Sequence, residues 1–481
     1  MSSLRNPHLN GLTPLALARQ LLDFEPDETQ TALLATTSPY VLLNCHRQWG
    51  KTTFTAIRAL HQAMAQPRQN ILVISPTLRQ SHLLTTRCRE FARQLRLPFS
   101  TDGTNPCSLL LPNGSLILAL PAHPDHARGF SAHLLIIDEA SRVSDEVFSA
   151  VTPLIAATQG HLWLLSTPLG KQGFFYREFI AKDTPTHPWF RLTAPAAGPR
   201  ASGRIPAAFI AAERQRKTSQ QFAEEYLCDF TTGERTVFSE DVIAQAFSPL
   251  VLPFYEADRH ARYPTAIPSH FTVGLDWGEI QDHSALTLTE YRTTPTGTRD
   301  PATWQHLYRR ELLVRLIERF PLGTPFSQII QRVARLAAHP LIAHHGTLAY
   351  DASGLGQALR ELIQMQRMPL HILPISITSG QHATVSPHGR NVPKSELITR
   401  LQLLLEQKHL KIAAHAPQAE FLRHELQVFE RRLHPGGHST YNAASSHHDD
   451  LVLSLALAGW WAWENRKSFL IGPPHKPLSL W

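Results

Sequence analysis

Two groups of residues in this 481-residue chain have types and spacings suited to chemistry. The first is the run Cys45-His46-Arg47-Gln48-Trp49-Gly50-Lys51-Thr52-Thr53. It follows an apolar stretch, Val41 to Asn44, and leads into a helical pattern from Thr52 to Ala65. This is the spacing of a phosphate-binding loop, with Cys45 where the first glycine normally stands. In such a loop, backbone amides at a helix N-terminus wrap a phosphate chain. Lys51 brings a point charge to the β- and γ-phosphates, and Thr52 a hydroxyl for Mg2+. Gly50 lets the backbone come close. Further along, Leu134-Leu-Ile-Ile-Asp-Glu139 is an apolar strand ending in two carboxylates. Asp138 suits a Mg2+ shell, and Glu139 suits polarisation of an attacking water. A third strand runs into Ser166-Thr167-Pro168, where hydroxyls would lie beside the γ-phosphate. The same tripeptide is also a plain exit from strand to loop.

The second group is spread more thinly. Asp276 lies inside an apolar strand pattern, Asp351 ends another, and Asp449 and Asp450 open an apolar helix. A carboxylate inside an apolar strand is unfavourable without a partner. Several carboxylates brought together repel unless divalent cations sit between them, and such a site holds one or two Mg2+ or Mn2+. Metals so held activate water and stabilise the leaving oxygen in phosphodiester cleavage. Each aspartate also has a structural reading. Asp351 precedes Ala-Ser-Gly and fits a turn, while Asp449 or Asp450 fits a helix cap. Asp450 is preferred over Asp449 as a direct ligand. Lys394 starts a helix after a Gly- and Pro-containing loop and is a candidate for DNA phosphate, or a surface lysine. His447 and His448 are either neighbours of the cluster or solvated loop histidines.

The elements needed to position these groups fall into two α/β regions. From about Asp23 to Phe230, near-continuous apolar runs alternate with helical stretches. The runs are Val41–Asn44, Asn70–Ser75, Ser115–Ala119, Leu134–Ile137 and Leu162–Leu165. This pattern predicts a largely parallel sheet covered on both faces, a P-loop NTPase architecture over residues 1–232. A Pro- and Gly-bearing stretch, residues 233–268, reads as a linker or subdomain. From Phe271 onward come three strands joined by short loops, at Phe271–Asp276, Ala285–Glu290 and Gln305–Leu313. Then a helix (326–338), a strand (348–351), a helix (356–366), a strand (371–377) and helices at 394–408 and 451–463 are expected. Three antiparallel strands followed by alternating helices and strands is the RNase H-like order, a mixed sheet over residues 269–465. The tail, 466–481, contains Pro473, Pro474 and Pro477 and is expected to be poorly ordered.

Composition narrows the class. The hydrophobic fraction of 43% and charged fraction of 18% are those of a globular protein with material for more than one core. No apolar run is long enough to cross a bilayer, and the N-terminus has no secretory signal, so no membrane role is expected. None of the four cysteines forms a CxxC pair, which speaks against a zinc site or a disulfide framework and for a reducing cytoplasm. The net charge of +7 weakly favours a polyanionic partner.

Arg47-Gln-Trp-Gly-Lys-Thr52, Asp138-Glu-Ala140 and Ser166-Thr-Pro168, in this order, resemble the large terminase subunits of phages. So do Tyr350-Asp-Ala-Ser-Gly354 and His448-Asp-Asp-Leu451 in the second region. The resemblance covers about Phe24 to Trp460. It implies that Gln30, in Phe24-Glu-Pro-Asp-Glu-Thr-Gln30, contacts the adenine of ATP, against the reading of an ordinary surface glutamine. It implies that Arg47 or Arg128, the latter in Arg128-Gly129, stabilises charge on the transferring phosphate. It implies Ser166 and Thr167 as coupling residues and double-stranded DNA as the substrate moved and cut. It also implies a portal protein and a small terminase subunit as partners, a homo-oligomeric ring when docked with a monomer in solution, and action in the host cytoplasm. Two rivals are a helicase-like repair or transposition ATPase with an RNase H-like nuclease, and a non-enzymatic ATP-dependent DNA-binding switch. The lack of further helicase motifs after Pro168 counts against the first. Intact Lys51, Asp138, Glu139 and the clustered aspartates count against the second.

Overall fold

The computed structural model describes residues 11–126, 129–183, 188–198, 201, 203–231, 236–255, 269–278, 282–299, 301, 304, 306–380, 382–433, 439–443 and 448–465. The chain divides into two compact units between Gly233 and Glu234. Arg128 and His447 lie outside the described residues, as do 466–481.

The first unit is built on a seven-stranded sheet. Its strands are β1 (Tyr40–Cys45), β2 (Asn70–Ser75), β3 (Ser108–Leu110), β4 (Leu116–Pro121), β5 (Leu134–Asp138), β6 (His161–Ser166) and β7 (Phe190–Ala194). They lie in the order β3-β4-β2-β5-β6-β1-β7. Only β3 is antiparallel to its neighbour. Apolar runs form central parallel strands because both faces are covered by helices. One layer buries Val41, Leu43, Ile71 and Trp163 against the helices Lys51–Ala65 and Leu78–Gln94. The other buries Leu42, Leu72, Ile137 and Leu164 beneath Val147, Phe174 and Phe175.

The second unit carries a nine-stranded sheet. Its strands are β8 (Phe247–Ser248), β9 (Ser269–Asp276), β10 (Ala285–Arg299), β11 (His306–Arg319), β12 (Gly346–Asp351), β13 (His371–Thr378), β14 (Thr384–Ser386), β15 (Gly389–Pro393) and β16 (Leu410–Ala413). The order is β14-β15-β13-β12-β9-β10-β11-β16-β8. The first three large strands, β9, β10 and β11, are antiparallel, while β12 and β13 join parallel to β9. This is the RNase H-like mixed sheet expected from the order of elements. A separate hairpin pairs β17 (Phe429–Leu433) with β18 (Ser439–Ala443).

Several details differ from the sequence reading. β10 continues well past Glu290, and its exposed far end pairs with the exposed start of β11, while β11 also runs on past Leu313 to Arg319 with Val314, Leu316 and Ile317 buried. The two exposed ends hydrogen-bond each other beyond the packed sheet, where hydrophobic patterning carries no signal. The single helix expected over 356–366 is two short ones, Leu355–Ala358 and Arg360–Met365. Within the stretch read as linker or subdomain, Val237, Phe238, Ile243 and Phe247 join the core of the second unit. β8 pairs there with β16.

The last helix, Asp450–Glu464, is apolar nearly all round because it is buried on both sides. It lies directly across β9. A Cβ at Gly274 would sit on the carbonyl oxygen of Ser454, so only glycine lets the two backbones meet. Among the described residues, no helix is long and apolar enough to cross a membrane.

Candidate active sites

In the first unit the site forms where β1, β5 and β6 end. β1 stops at Cys45 and the chain turns through Gln48 and Gly50, both with positive φ (64° and 99°), into the helix starting at Lys51. A left-handed Gly50 is what this turn needs, since a side chain there would be strained. The loop is anchored at its base. The His46 amide donates to the Ala194 carbonyl (3.0 Å) and the Arg47 amide to that of Glu225 (2.8 Å). Cys45 and Trp49 turn their side chains into the core, with Trp49 packed on Phe54. Burial pushes the Cys45 thiol up to about 12, so it is neutral and apolar in character. The bulky residues in the loop therefore hold it down, leaving Lys51, Thr52 and Thr53 at the helix N-terminus.

Lys51 brings the three motifs together. Its Nζ lies 3.2 Å from a Glu139 carboxylate oxygen and donates to Thr167 Oγ1 at 3.3 Å. Burial opposes its charge, but the adjacent Glu139 and Asp138 carboxylates favour the ammonium and keep it protonated. Asp138 is buried, and burial followed by the Glu139 charge pushes its carboxyl up. Ser166 accepts from the Ser141 amide (3.1 Å) and donates to Ser141 Oγ (2.7 Å). Ser141 Oγ in turn donates to the Thr167 carbonyl (2.8 Å). The carboxylate loop after β5 and the hydroxyl loop after β6 are thus stitched into one piece. Beyond them, the Gly170 amide donates to buried Glu224 (3.1 Å).

Gln30 is fully buried, not a surface residue. It exchanges bonds with Asp27 in a capping box, and its Nε2 donates to the Trp49 carbonyl at 3.3 Å. Arg204 donates to Gln30 Oε1 and, at 2.7 Å, to Asp27, with its guanidinium over the Phe24 ring. Arg47 is more than half exposed and pairs with Glu225 at 3.3 Å. Ser141, Arg204 and Glu224 escaped the sequence reading. Ser141 was legible as the end of Asp-Glu-Ala-Ser, whereas nothing around Arg204 marks it.

In the second unit, β9 and β12 are parallel neighbours with Leu275 opposite Tyr350. Asp276 and Asp351, next in each strand, therefore end side by side. The last helix crosses β9 and adds Asp450, whose Oδ2 accepts from the His283 amide at 3.2 Å. Burial pushes the Asp276 carboxyl far up, helped by Asp351, Asp450 and Asp449. Burial also raises Asp351. Burial, then Asp449 and Asp282, brings Asp450 to about 7. His448 Nδ1 lies 3.4 Å from Asp282 and 3.9 Å from Asp450. Lys394 Nζ donates to Asp449 Oδ2 and to Asn442 Oδ1, both at 3.0 Å. Asp449 thus serves as the partner of Lys394, while the more buried Asp450 faces the other aspartates. Among the described residues, no three His, Cys, Asp or Glu side chains stand in a ready metal-holding arrangement. The donor chemistry nonetheless suits a hard divalent cation, since it is all carboxylate oxygen and its charge is unfavourable without compensation.

Fold and sites define a P-loop ATPase unit followed by an RNase H-like unit with an aspartate cluster. Residues 45–245 match the family model for the terminase large subunit, T4likevirus-type, N-terminal. The chain is 24% identical to the large terminase subunit of Thermus phage G20c over 473 residues, covering 91% of this chain and 88% of that protein. The figures for the large terminase subunit of Thermus virus P23-45 are the same. The crystal structure of the HK97 bacteriophage large terminase is 13% identical, with a TM-score of 0.40 over 93% of this chain and 98% of that one. Over most of its length the chain is similar to phage large terminases.

Proposed function

We propose that this chain is the motor and nuclease of a viral DNA-packaging machine. The first unit hydrolyses ATP to drive double-stranded DNA into a procapsid, and the second cuts concatemeric DNA. The observation that carries the reading is the meeting at Lys51 of the phosphate-binding loop, the Glu139 carboxylate and the Thr167 hydroxyl.

The geometry suggests a sequence of events. Without a phosphate, Lys51 holds Glu139. A γ-phosphate arriving at the helix N-terminus takes over Lys51 and frees Glu139 to orient and polarise water. Thr52 and Asp138 would hold Mg2+, which neutralises charge on the phosphates. Loss of the γ-phosphate returns Lys51 to Glu139 and Thr167. The Ser141–Ser166 stitch and the Gly170–Glu224 bond then carry that change outward. Gln30, touching the loop through Trp49 and bound by Arg204, links adenine binding to the loop. Arg47 or Arg128 supplies charge to the phosphate in transfer.

In the second unit Asp276, Asp351 and Asp450 would hold Mg2+ or Mn2+, which supplies activated water for phosphodiester cleavage. Asp449 keeps Lys394 at the rim, where it can exchange a carboxylate for a DNA phosphate. A portal protein, a small terminase subunit, a docked ring and the host cytoplasm complete the reading. The test is separable by unit. Glu139→Gln is expected to stop steady-state phosphate release while nucleotide still binds, and unchanged release would reject the motor assignment.

A further inference from the structure

We infer that Glu425 is a positioning residue: it caps the helix that carries Asp449 and Asp450 and thereby frees both for the site. The inference rests on reading the aspartate cluster as metal-binding. An aspartate at a helix start ordinarily spends its carboxylate on the amides of the first turn. That does not happen here. The Leu451 and Val452 amides donate to Glu425 Oε2, at 2.9 and 3.3 Å. Asp449, at the cap position, makes no capping bond, and its carboxylate goes to Lys394. Asp450 accepts from His283 instead.

Glu425 comes from a different element, the helix Ala419–Val428, on the buried face it shares with Leu422 and Leu426. It is 4% exposed. A carboxylate among leucines is unfavourable unless amides take it up, and the helix start provides two. Its Oε1 makes no hydrogen bond and faces the Arg319 guanidinium at 3.7 Å. Arg319 is itself seated over the Phe421 ring. The arginine therefore stands off from the carboxyl without displacing the cap. With the Glu425 acceptor withdrawn, the orphaned amides would draw on the carboxylates at the helix start, Asp449 and Asp450. Either one turning inward would leave the cluster a carboxylate short.

The test compares two conservative changes in the full chain without DNA. Glu425→Gln keeps an acceptor at the same reach and replaces the carboxyl by an amide. Glu425→Asp keeps the carboxyl and retracts the acceptor by one methylene. Mn2+ binding by calorimetry should be within about twofold of the unchanged protein for Glu425→Gln and about tenfold weaker for Glu425→Asp. Exchange of the Leu451 and Val452 amides should quicken only in Glu425→Asp, a readout independent of metal. Unchanged Mn2+ binding in Glu425→Asp, or equal weakening in both variants, overturns the inference. Asp276→Ala is measured in parallel. If it binds Mn2+ normally, the metal reading itself fails. If it loses Mn2+ while Glu425→Asp does not, only the capping role fails.

Discussion

The two units solve opposite electrostatic problems. In the first, buried Lys51 stands against Asp138 and Glu139, so the site is close to self-neutral before any ligand arrives. In the second, Asp276, Asp351, Asp449 and Asp450 stand together with Lys394 and the neighbouring His448 beside them, and three of the four carboxyls are pushed upward. A self-neutral site can close on itself and reopen as a phosphate comes and goes. An over-acidic site is incomplete until cations compensate it. A switch and a chelate need these different starting points.

The largest expected effect tests the switch. Glu139→Gln should lower ATP turnover about a thousandfold, in the range for loss of a general base, with nucleotide affinity retained. A loss of only a few-fold would mean another group orients the water. Comparable in size, Asp276→Ala should remove Mn2+-dependent plasmid cleavage while ATP turnover continues. Persistent cleavage would erase the contrast between the units by moving the nuclease chemistry elsewhere. A smaller effect is expected at the stitch. Ser141→Ala should slow ATP turnover about tenfold, as expected when a positioning bond is lost, without changing ATP affinity. A change in affinity alone would place Ser141 in binding rather than coupling.

The smallest effect is in stability. Burial brings Asp450 to about 7 and Glu425 to about 8. Both hold protons in the folded chain that the unfolded chain releases near pH 4. Their contribution is full below that pH and is lost as pH rises through 7 to 8. Without metal, the melting temperature of the second unit should fall by a few degrees between pH 5 and 8. Mn2+ should reverse that fall more than it affects the first unit. Equal slopes for both units would contradict the electrostatic contrast.

The same contrast explains what was legible in the sequence. The first site is written in contiguous runs, because a phosphate loop and a strand-end carboxylate pair are local constructions. Lys51, Asp138, Glu139, Ser166 and Thr167 could therefore be named together. The second site depends on which strands become neighbours, and Asp276 and Asp351 meet only through the β9–β12 pairing. The order of elements was enough to expect that pairing. It could not show Glu425, whose cue is faint: one acidic residue on the apolar face of a short helix. Arg204 leaves no cue, because it reaches Gln30 from an irregular segment with no periodicity to read. The exposed continuation of β10 past Glu290 was missed for a related reason, since a strand end that buries no face shows no alternation.

Gly274 sets a distance by what it lacks. The last helix lies on β9 at bare backbone contact, so the span between Asp276 and Asp450 is gauged by a missing methyl group rather than by any side chain. Even alanine there would lift the helix and carry Asp450 away with it. The aspartate cluster therefore has a calibration point that carries no side chain of its own. A library that varied every acidic residue and left glycines alone would overlook it.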